Sequence, residues 1–317
     1  MPIGNIRPCV AAKIILMELE NLKGVGPVAL ERLKDAGVKS IDDLAKASLE
    51  DLESAGMSDR KGQKLIDRAK EKGVLIKSAT DVAAEIEDRE KITTGMPYLD
   101  EILDGGWTKE QIIGVAGETG AGKTQVAFYS LVKAAEQTGL PVIYIETEPG
   151  RFSPKRLLQF AESKDTLDLI HCLQAHDLEE QKLAYRKAMN HYDEVGLVAV
   201  DSFTANFRLS DEFEGRGSFS SRSDVMAQHL TLLREMATSL NAPALLTGQV
   251  YGNPTAYGAA NNTYGGSLFG HTVNYFLYLS DGQGSLSKGK VMNNPEVKDT
   301  EFHINITDTE LEGMKDS

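Results

Sequence analysis

Gly117-Glu118-Thr119-Gly120-Ala121-Gly122-Lys123-Thr124 is the stretch on which the fold turns; an apolar run, Ile112–Ala116, leads into it and a helical pattern, Thr124–Thr138, follows. Glycines at these spacings let the backbone wrap phosphate oxygens, so that successive N–H groups and a helix N-terminus point at the anion. Lys123 is then placed to reach β- and γ-phosphates, and the Thr124 hydroxyl to ligate Mg²⁺. A Gly-rich structural turn is the bland alternative, and the strand–loop–helix context argues against it.

Outward from this loop, strands and helices alternate. Strands are predicted at Pro141–Ile145, Leu169–Leu173, Leu197–Asp201, Ala244–Thr247 and Tyr275–Ser280, with helices near Pro154–Ser163, Leu178–Glu194 and Ser223–Leu240. Such alternation implies βαβ units and a mostly parallel sheet covered on both faces, an α/β fold. Ligands then bind at the carboxyl ends of the strands. Asp201 ends one apolar strand and is placed to hold Mg²⁺, directly or through water. Glu146 and Glu148 end another, and either is within reach of positioning or deprotonating an attacking water; spacing alone does not choose. Gln249, leaving the Ala244–Thr247 strand, is placed to hydrogen-bond a γ-phosphate.

Residues 18–73 read differently. Leucines at helical spacing and short breaks at Gly37 and Gly56 describe small helices, with Ser40 and Ser58 as N-cap candidates. Leu22-Lys23-Gly24-Val25-Gly26-Pro27 opens the helix Val28–Asp35, and a Gly-x-Gly turn before a helix start exposes N–H groups that suit a phosphate. This resembles a helix-hairpin-helix element, with Met57–Lys72 as a degenerate second copy. Such pairs hold duplex backbone without reading sequence, Gly24 and Gly26 supplying the contact; an ordinary helical corner is the plain alternative. Residues 74–92 form a linker with one acidic helix, Asp81–Glu90, and residues 93–317 the α/β core. Residues 1–17, free of acidic side chains, read as an extension, with Met17 as an alternative start.

Composition narrows the function classes. The 317 residues are 41% hydrophobic, enough for a sizeable core, and carry a net charge of −13. Two cysteines exclude a disulfide framework or a multi-cysteine zinc site and fit a reduced, cytoplasmic compartment. The longest uncharged stretch, Met236–Ser280, is rich in Gly, Asn, Thr and Tyr, unsuited to hydrocarbon, so no membrane association is expected. Acidity argues against nucleic acid only until it is divided by region: residues 18–73 carry 11 basic against 12 acidic side chains, and the acidity lies in the remainder.

Taken in order, these elements resemble the archaeal RadA recombinases of the RecA-like ATPase superfamily. The resemblance rests on Gly24–Pro27, Thr94-Gly95 with Leu99-Asp100 and Gly105-Gly106, Gly117–Gln125, Glu146-Thr147-Glu148, Asp201-Ser202, Gly215-Arg216-Gly217, Gly248-Gln249-Val250, and Gly265-Gly266 with Gly270-His271. It implies a RecA-like P-loop ATPase core behind a small all-α helix-hairpin-helix domain. It also implies ATP and Mg²⁺ as cofactors, Glu148 as the catalytic glutamate with Lys123 and Gln249, and Gln125 and the adenine-stacking Arg156 beside the phosphate loop. Two DNA loops correspond to about 207–222 and 251–271, offering Arg208, Arg216, Arg222, Tyr264 and His271. The implied activity is DNA-dependent ATP hydrolysis supporting homologous pairing and strand exchange. Partners are single- and double-stranded DNA and further copies in a filament or ring, in a nucleoid-associated setting.

Three departures qualify this. The subunit hook reads Ile76-Lys77-Ser78-Ala79, with Ile76 in place of a ring and Ala79 retained; an aliphatic anchor should dock more weakly. The second loop lacks Lys and Arg, leaving tyrosines that either stack bases or pack against protein. Where relatives carry an acidic cap over ATP, this chain reads Asn293-Asn294-Pro295-Glu296. The alternatives are therefore a mediator paralogue that binds ATP, DNA and a second recombinase without strand exchange, and a regulatory ATPase acting on proteins.

Overall fold

A computed structural model describes residues 19–73, 78–210, 219–249, 272–281 and 284–315. The chain divides after Glu87 into two compact units.

The first unit is helical: a 3₁₀ turn at Leu19–Asn21, then α1 (Pro27–Asp35), α2 (Ile41–Lys46), α3 (Leu49–Ser54), α4 (Asp59–Gly73) and α5 (Ala79–Glu87). Ser40 closes a capping box with Asp43, and Ser48, which the sequence reading passed over, closes a second with Asp51. At the expected cap Ser58, the carbonyl receives the N–H groups of Lys61 and Gly62, both at 2.8 Å. Helices α1 and α3 end alike: Val38 N–H bonds Leu33 O and Gly37 N–H bonds Lys34 O, as Met57 bonds Leu52 and Gly56 bonds Glu53. Leu22, Leu33, Leu44, Leu52, Leu65 and Ile66 are buried together, each worth about 1.5–3 kcal/mol when fully removed from water.

The second unit opens with a two-residue ladder, β1 (Lys91–Ile92) against β2 (Trp107–Thr108), so the last residues assigned to the linker pair within this unit. Between them lies α6 (Pro97–Ile102). Among the described residues the main sheet has nine strands: β3 (Ile112–Gly117), β4 (Val142–Glu146), β5 (Ile170–Gln174), β6 (Val198–Asp201), β7 (Ala244–Gln249), β8 (Tyr275–Asp281), β9 (Leu286–Met292), β10 (Thr300–Ile306) and β11 (Leu311–Lys315). Their spatial order is β11-β10-β9-β8-β3-β7-β6-β4-β5. From β8 to β5 all neighbours run parallel, whereas β9, β10 and β11 extend the β8 side as antiparallel strands. The mostly parallel sheet matches the expectation from alternation; the antiparallel extension was not anticipated. Lysines and Gly289 interrupt β9, yet the ring of Phe302 on β10 occupies the space a Cβ on Gly289 would need.

Helices cover both faces: α7 (Lys123–Thr138), α8 (Pro154–Phe160), α9 (Leu178–His191), α10 (Ala205–Leu209) and α11 (Phe219–Ser239). Side chains alternate across a strand, so each strand feeds two cores. Ile113, Val115, Tyr144 and Leu245 pack with α7 and α8, while Ile112, Ile143, Val198 and Leu246 pack with α9 and α11. Predicted helix ends shift by a few residues: α8 stops at Phe160 before a 3₁₀ turn at Lys164–Leu169, α9 at His191, and α11 begins at Phe219.

Candidate functional site

Strand register assembles the site. Gly117 on β3 pairs with Gln249 on β7, and Glu146 on β4 lies opposite Asp201 on β6 and Gln174 on β5. Residues far apart in sequence thus end on one carboxyl edge of a parallel sheet, where ligands bind in such folds.

The phosphate loop joins β3 to α7. A Cβ on Gly117 would fall 2.0 Å from Leu279 O, and one on Gly122 2.5 Å from Ile306 Cδ1, at a φ of +91°. Gly120, at +89°, faces open space, where a phosphate would approach. Lys123 Nζ folds over the loop, donating to Gly117 O at 3.0 Å and Glu118 O at 2.6 Å. Burial pulls its ammonium below the usual lysine range, against the attraction of Asp201 and Glu148. A cation held over its own carbonyls at a helix start is a site prepared for an anion.

Asp201 is buried, its carboxylate accepting from the Tyr144 hydroxyl at 2.8 Å and from the Thr247 hydroxyl. Burial, and then the charge of Asp201, push the Tyr144 phenol far up and keep it a donor. Neither Tyr144 nor Thr247 was singled out from sequence. The only available signal was a hydroxylated ring in an otherwise aliphatic strand, two positions from Glu146.

The structure separates the two glutamates. Glu146 is 1% exposed; one oxygen accepts from Phe152 N at 2.8 Å and the other from Gln174 Nε2 at 2.9 Å. Burial raises its pKa, but these two bonds, with Arg151 N–H and the charge of His176, outweigh it and hold the carboxyl below its ordinary value. Glu146 therefore fastens the turn after β4. Glu148 is the accessible one, pairing with Arg208 Nη2 at 3.1 Å and Arg151 Nε at 3.2 Å.

Arg208, expected in a DNA loop, lies beside Glu148 and Gln249. At the end of α10, its guanidinium donates to Glu148 Oε1 and also to Gln249 Oε1, at 2.6 Å. Arg156 lies with its guanidinium carbon 3.9 Å from the centre of the Phe160 ring. It donates to Gln125 Oε1 at 2.6 Å and to the carbonyls of Thr307 and Asp308 at 2.7 Å, tying α7 and α8 to the β10–β11 turn.

Gly24, at a φ of +104°, and Gly26, the N-cap of α1 facing open space, belong to the helical unit; Arg68 Nη1 steadies that turn through Lys23 O at 2.6 Å. Arg222 lies in the first turn of α11 and Ala79 begins α5. Ile76, Arg216, Tyr264 and His271 fall outside the described residues, as does the 1–17 extension. Among the described residues no group of three or more His, Cys, Asp or Glu could hold a metal. Thr124 and Asp201 offer only two protein donors, which suits an ion completed by phosphate and water. No described helix is long and apolar enough to cross a membrane.

Known proteins resemble this chain over both of its units. Residues 87–317 match the Rad51 family model, and residues 16–71 match that of the SAM-like helix-hairpin-helix tandem. A DNA repair and recombination protein RadA from Methanocorpusculum labreanum is 32% identical over 316 residues, covering 90% of this chain and 95% of the relative. The RadA protein of Methanoculleus marisnigri is 30% identical over 311 residues, with the same coverage. That of Cenarchaeum symbiosum is 31% identical over 328 residues, covering 92% of this chain and 82% of the relative.

Proposed function

We infer the activity of this protein from the fact that the chain belongs to the Rad51 family: it is a DNA-dependent ATPase of DNA repair and recombination. The observation that carries the reading is the meeting of the phosphate loop, Glu148, Asp201 and Gln249 at one edge of the sheet. ATP is the substrate, and Mg²⁺ held near Thr124 and Asp201 would neutralise charge building on its phosphates. Lys123 exchanges its own loop carbonyls for phosphate oxygens. Asp201, fixed by Tyr144 and Thr247, keeps one orientation. Glu148 orients an attacking water and accepts its proton, and Gln249 reports the γ-phosphate to the segment that follows β7. Arg156, already over the Phe160 ring, offers a surface for adenine.

The domains we propose are an extension at 1–17, a helix-hairpin-helix duplex-binding domain at 18–73 presenting Gly24 and Gly26, a linker at 74–92, and the ATPase core at 93–317. In the proposed cycle, binding of ATP favours the DNA-holding state and hydrolysis releases it, a population shift rather than chemistry on DNA. Single-stranded DNA lies along residues 207–222 and 251–271, with Arg216, Arg222, Tyr264 and His271 toward it, and copies join through Ile76 and Ala79 into a filament or ring. The setting is cytoplasmic and nucleoid-associated, and the output is homologous pairing and strand exchange. A second reading, a mediator that serves another recombinase, draws on Ile76 at the hook and on a second loop without Lys or Arg.

Single-stranded DNA should raise ATP turnover, and electron microscopy should show helical filaments with ATP. Lys123→Ala should abolish turnover. Normal ATP binding with neither filaments nor DNA stimulation would sink the recombinase reading in favour of the mediator.

A further inference from the structure

We propose that Arg208 is a positioning residue that latches the ATP site: its guanidinium clasps Glu148 and Gln249 together and restrains turnover until DNA draws it away. The inference rests on the DNA-dependent reading of the site and goes beyond it.

A guanidinium presents donors in a fixed fork, so one Arg can hold two acceptors at a set separation. Here Nη1 takes Gln249 Oε1 at 2.6 Å and Nη2 takes Glu148 Oε1 at 3.1 Å. The side chains of Arg208 and Glu148 are 21% and 24% exposed, so water competes only partly for this pair. Arg151 occupies the other oxygen of Glu148, and the carboxylate is thereby engaged at both ends. While both are bound to the same cation, Glu148 Oε1 and Gln249 Oε1 are held toward Arg208 instead of being left to reorient toward an attacking water and a γ-phosphate.

The backbone supplies the second half of the device. Arg208 sits on a single turn, α10, anchored on its inner side by Asn206, whose amide donates to Ala175 O and Asp177 O at 3.0 Å and to Gln181 Oε1 at 2.9 Å. Phe207 is fully buried, packing on Phe203 and His229. Residues 206 and 207 are therefore fixed in the core, while Leu209, two positions on, is 72% exposed. The latch therefore stands beside the exposed end of α10. A polyanion binding there competes with Glu148 for the guanidinium, by the same charge-assisted hydrogen bonding.

The test compares wild type, Arg208→Gln and Arg208→Lys in the full chain, following phosphate release at saturating ATP with and without single-stranded polydeoxythymidine. Arg208→Gln should raise DNA-free turnover about tenfold, the factor equivalent to releasing ~1.4 kcal/mol of charge-assisted bonding. DNA stimulation should shrink by the same factor, with KM for ATP within about twofold. Arg208→Lys, a point charge able to hold one partner, should fall between the two. A DNA-free rate at or below that of wild type, with unchanged melting temperature, overturns the latch. If wild type is not stimulated by DNA at all, the DNA-dependent reading fails, while the DNA-free rate of Arg208→Gln still decides whether the clasp restrains turnover.

Discussion

Exchanging the roles of two glutamates two residues apart gives a sharp test of the site. Glu146→Gln keeps the shape but replaces one carboxylate oxygen with an amide. The remaining oxygen can still accept from Phe152 N, 2.8 Å from Oε1, but the new NH₂ meets Gln174 Nε2, 2.9 Å from Oε2, donor against donor. Losing one buried hydrogen bond to a charged acceptor costs about 1.5–3 kcal/mol, lessened if the Gln174 amide turns over. In a unit of this size the melting temperature should drop by about 3–12 °C, at roughly 2–4 °C per kcal/mol. Turnover should stay within about threefold of wild type, since Glu146 does not reach the reacting atoms. Glu148→Gln should do the opposite, lowering kcat by about 10²–10⁴ as expected for a lost general base. Its melting temperature should hardly move. There is a pH signature as well. The folded pKa of Glu146 lies below its unfolded value, so its stabilisation is complete above the unfolded pKa near 4.5 and disappears as pH falls through the folded one. Glu146→Gln should therefore flatten the acid limb of a Tm-against-pH curve, measured by differential scanning fluorimetry from pH 3.5 to 7. An inactive Glu146→Gln with wild-type melting, or an active Glu148→Gln, would refute the assignment.

Three further outcomes are expected. Gly117→Ala should destabilise by about 2 kcal/mol or more because its methyl meets a backbone oxygen at 2.0 Å, whereas Gly120→Ala, facing open space but at positive φ, should cost only about 1 kcal/mol and weaken nucleotide binding; urea denaturation with ATP titration separates them. His229, buried between Tyr185 and Phe207 with neither ring nitrogen bonded among the described residues, is pushed down to about 4 by burial, with Lys182 adding to the effect and Glu179 opposing it. Below the unfolded value near 6.5 the unfolded chain takes up a proton that the fold refuses, so stability falls from there toward pH 4, and His229→Leu should remove that slope from Tm measurements. Ser48→Ala should cost about 1 kcal/mol by breaking the capping box with Asp51, read by thermal denaturation of the full chain followed by circular dichroism.

The sequence by itself determined the nucleotide loop, the alternation behind the parallel sheet, the capping at Ser40 and the division into a helical unit and an α/β unit. These are local properties: turn chemistry, hydrophobic period and helix ends act over a few residues and leave their mark on the string. The strands β9 to β11 were partly written there too, since Phe302, Ile304 and Ile306 alternate, but the lysines and Gly289 in β9 masked the pattern. What only the tertiary structure decided is which polar groups become partners. Tyr144 reaches Asp201 across 57 positions, Arg208 reaches Gln249 across 41 and Glu148 across 60. Such meetings depend on strand order and register, and a shift of one residue would turn each side chain to the opposite face. Thus two glutamates that look equivalent in Glu146-Thr147-Glu148 part company once folded: one is buried as a structural acceptor, and the other is left at the edge where water can reach it.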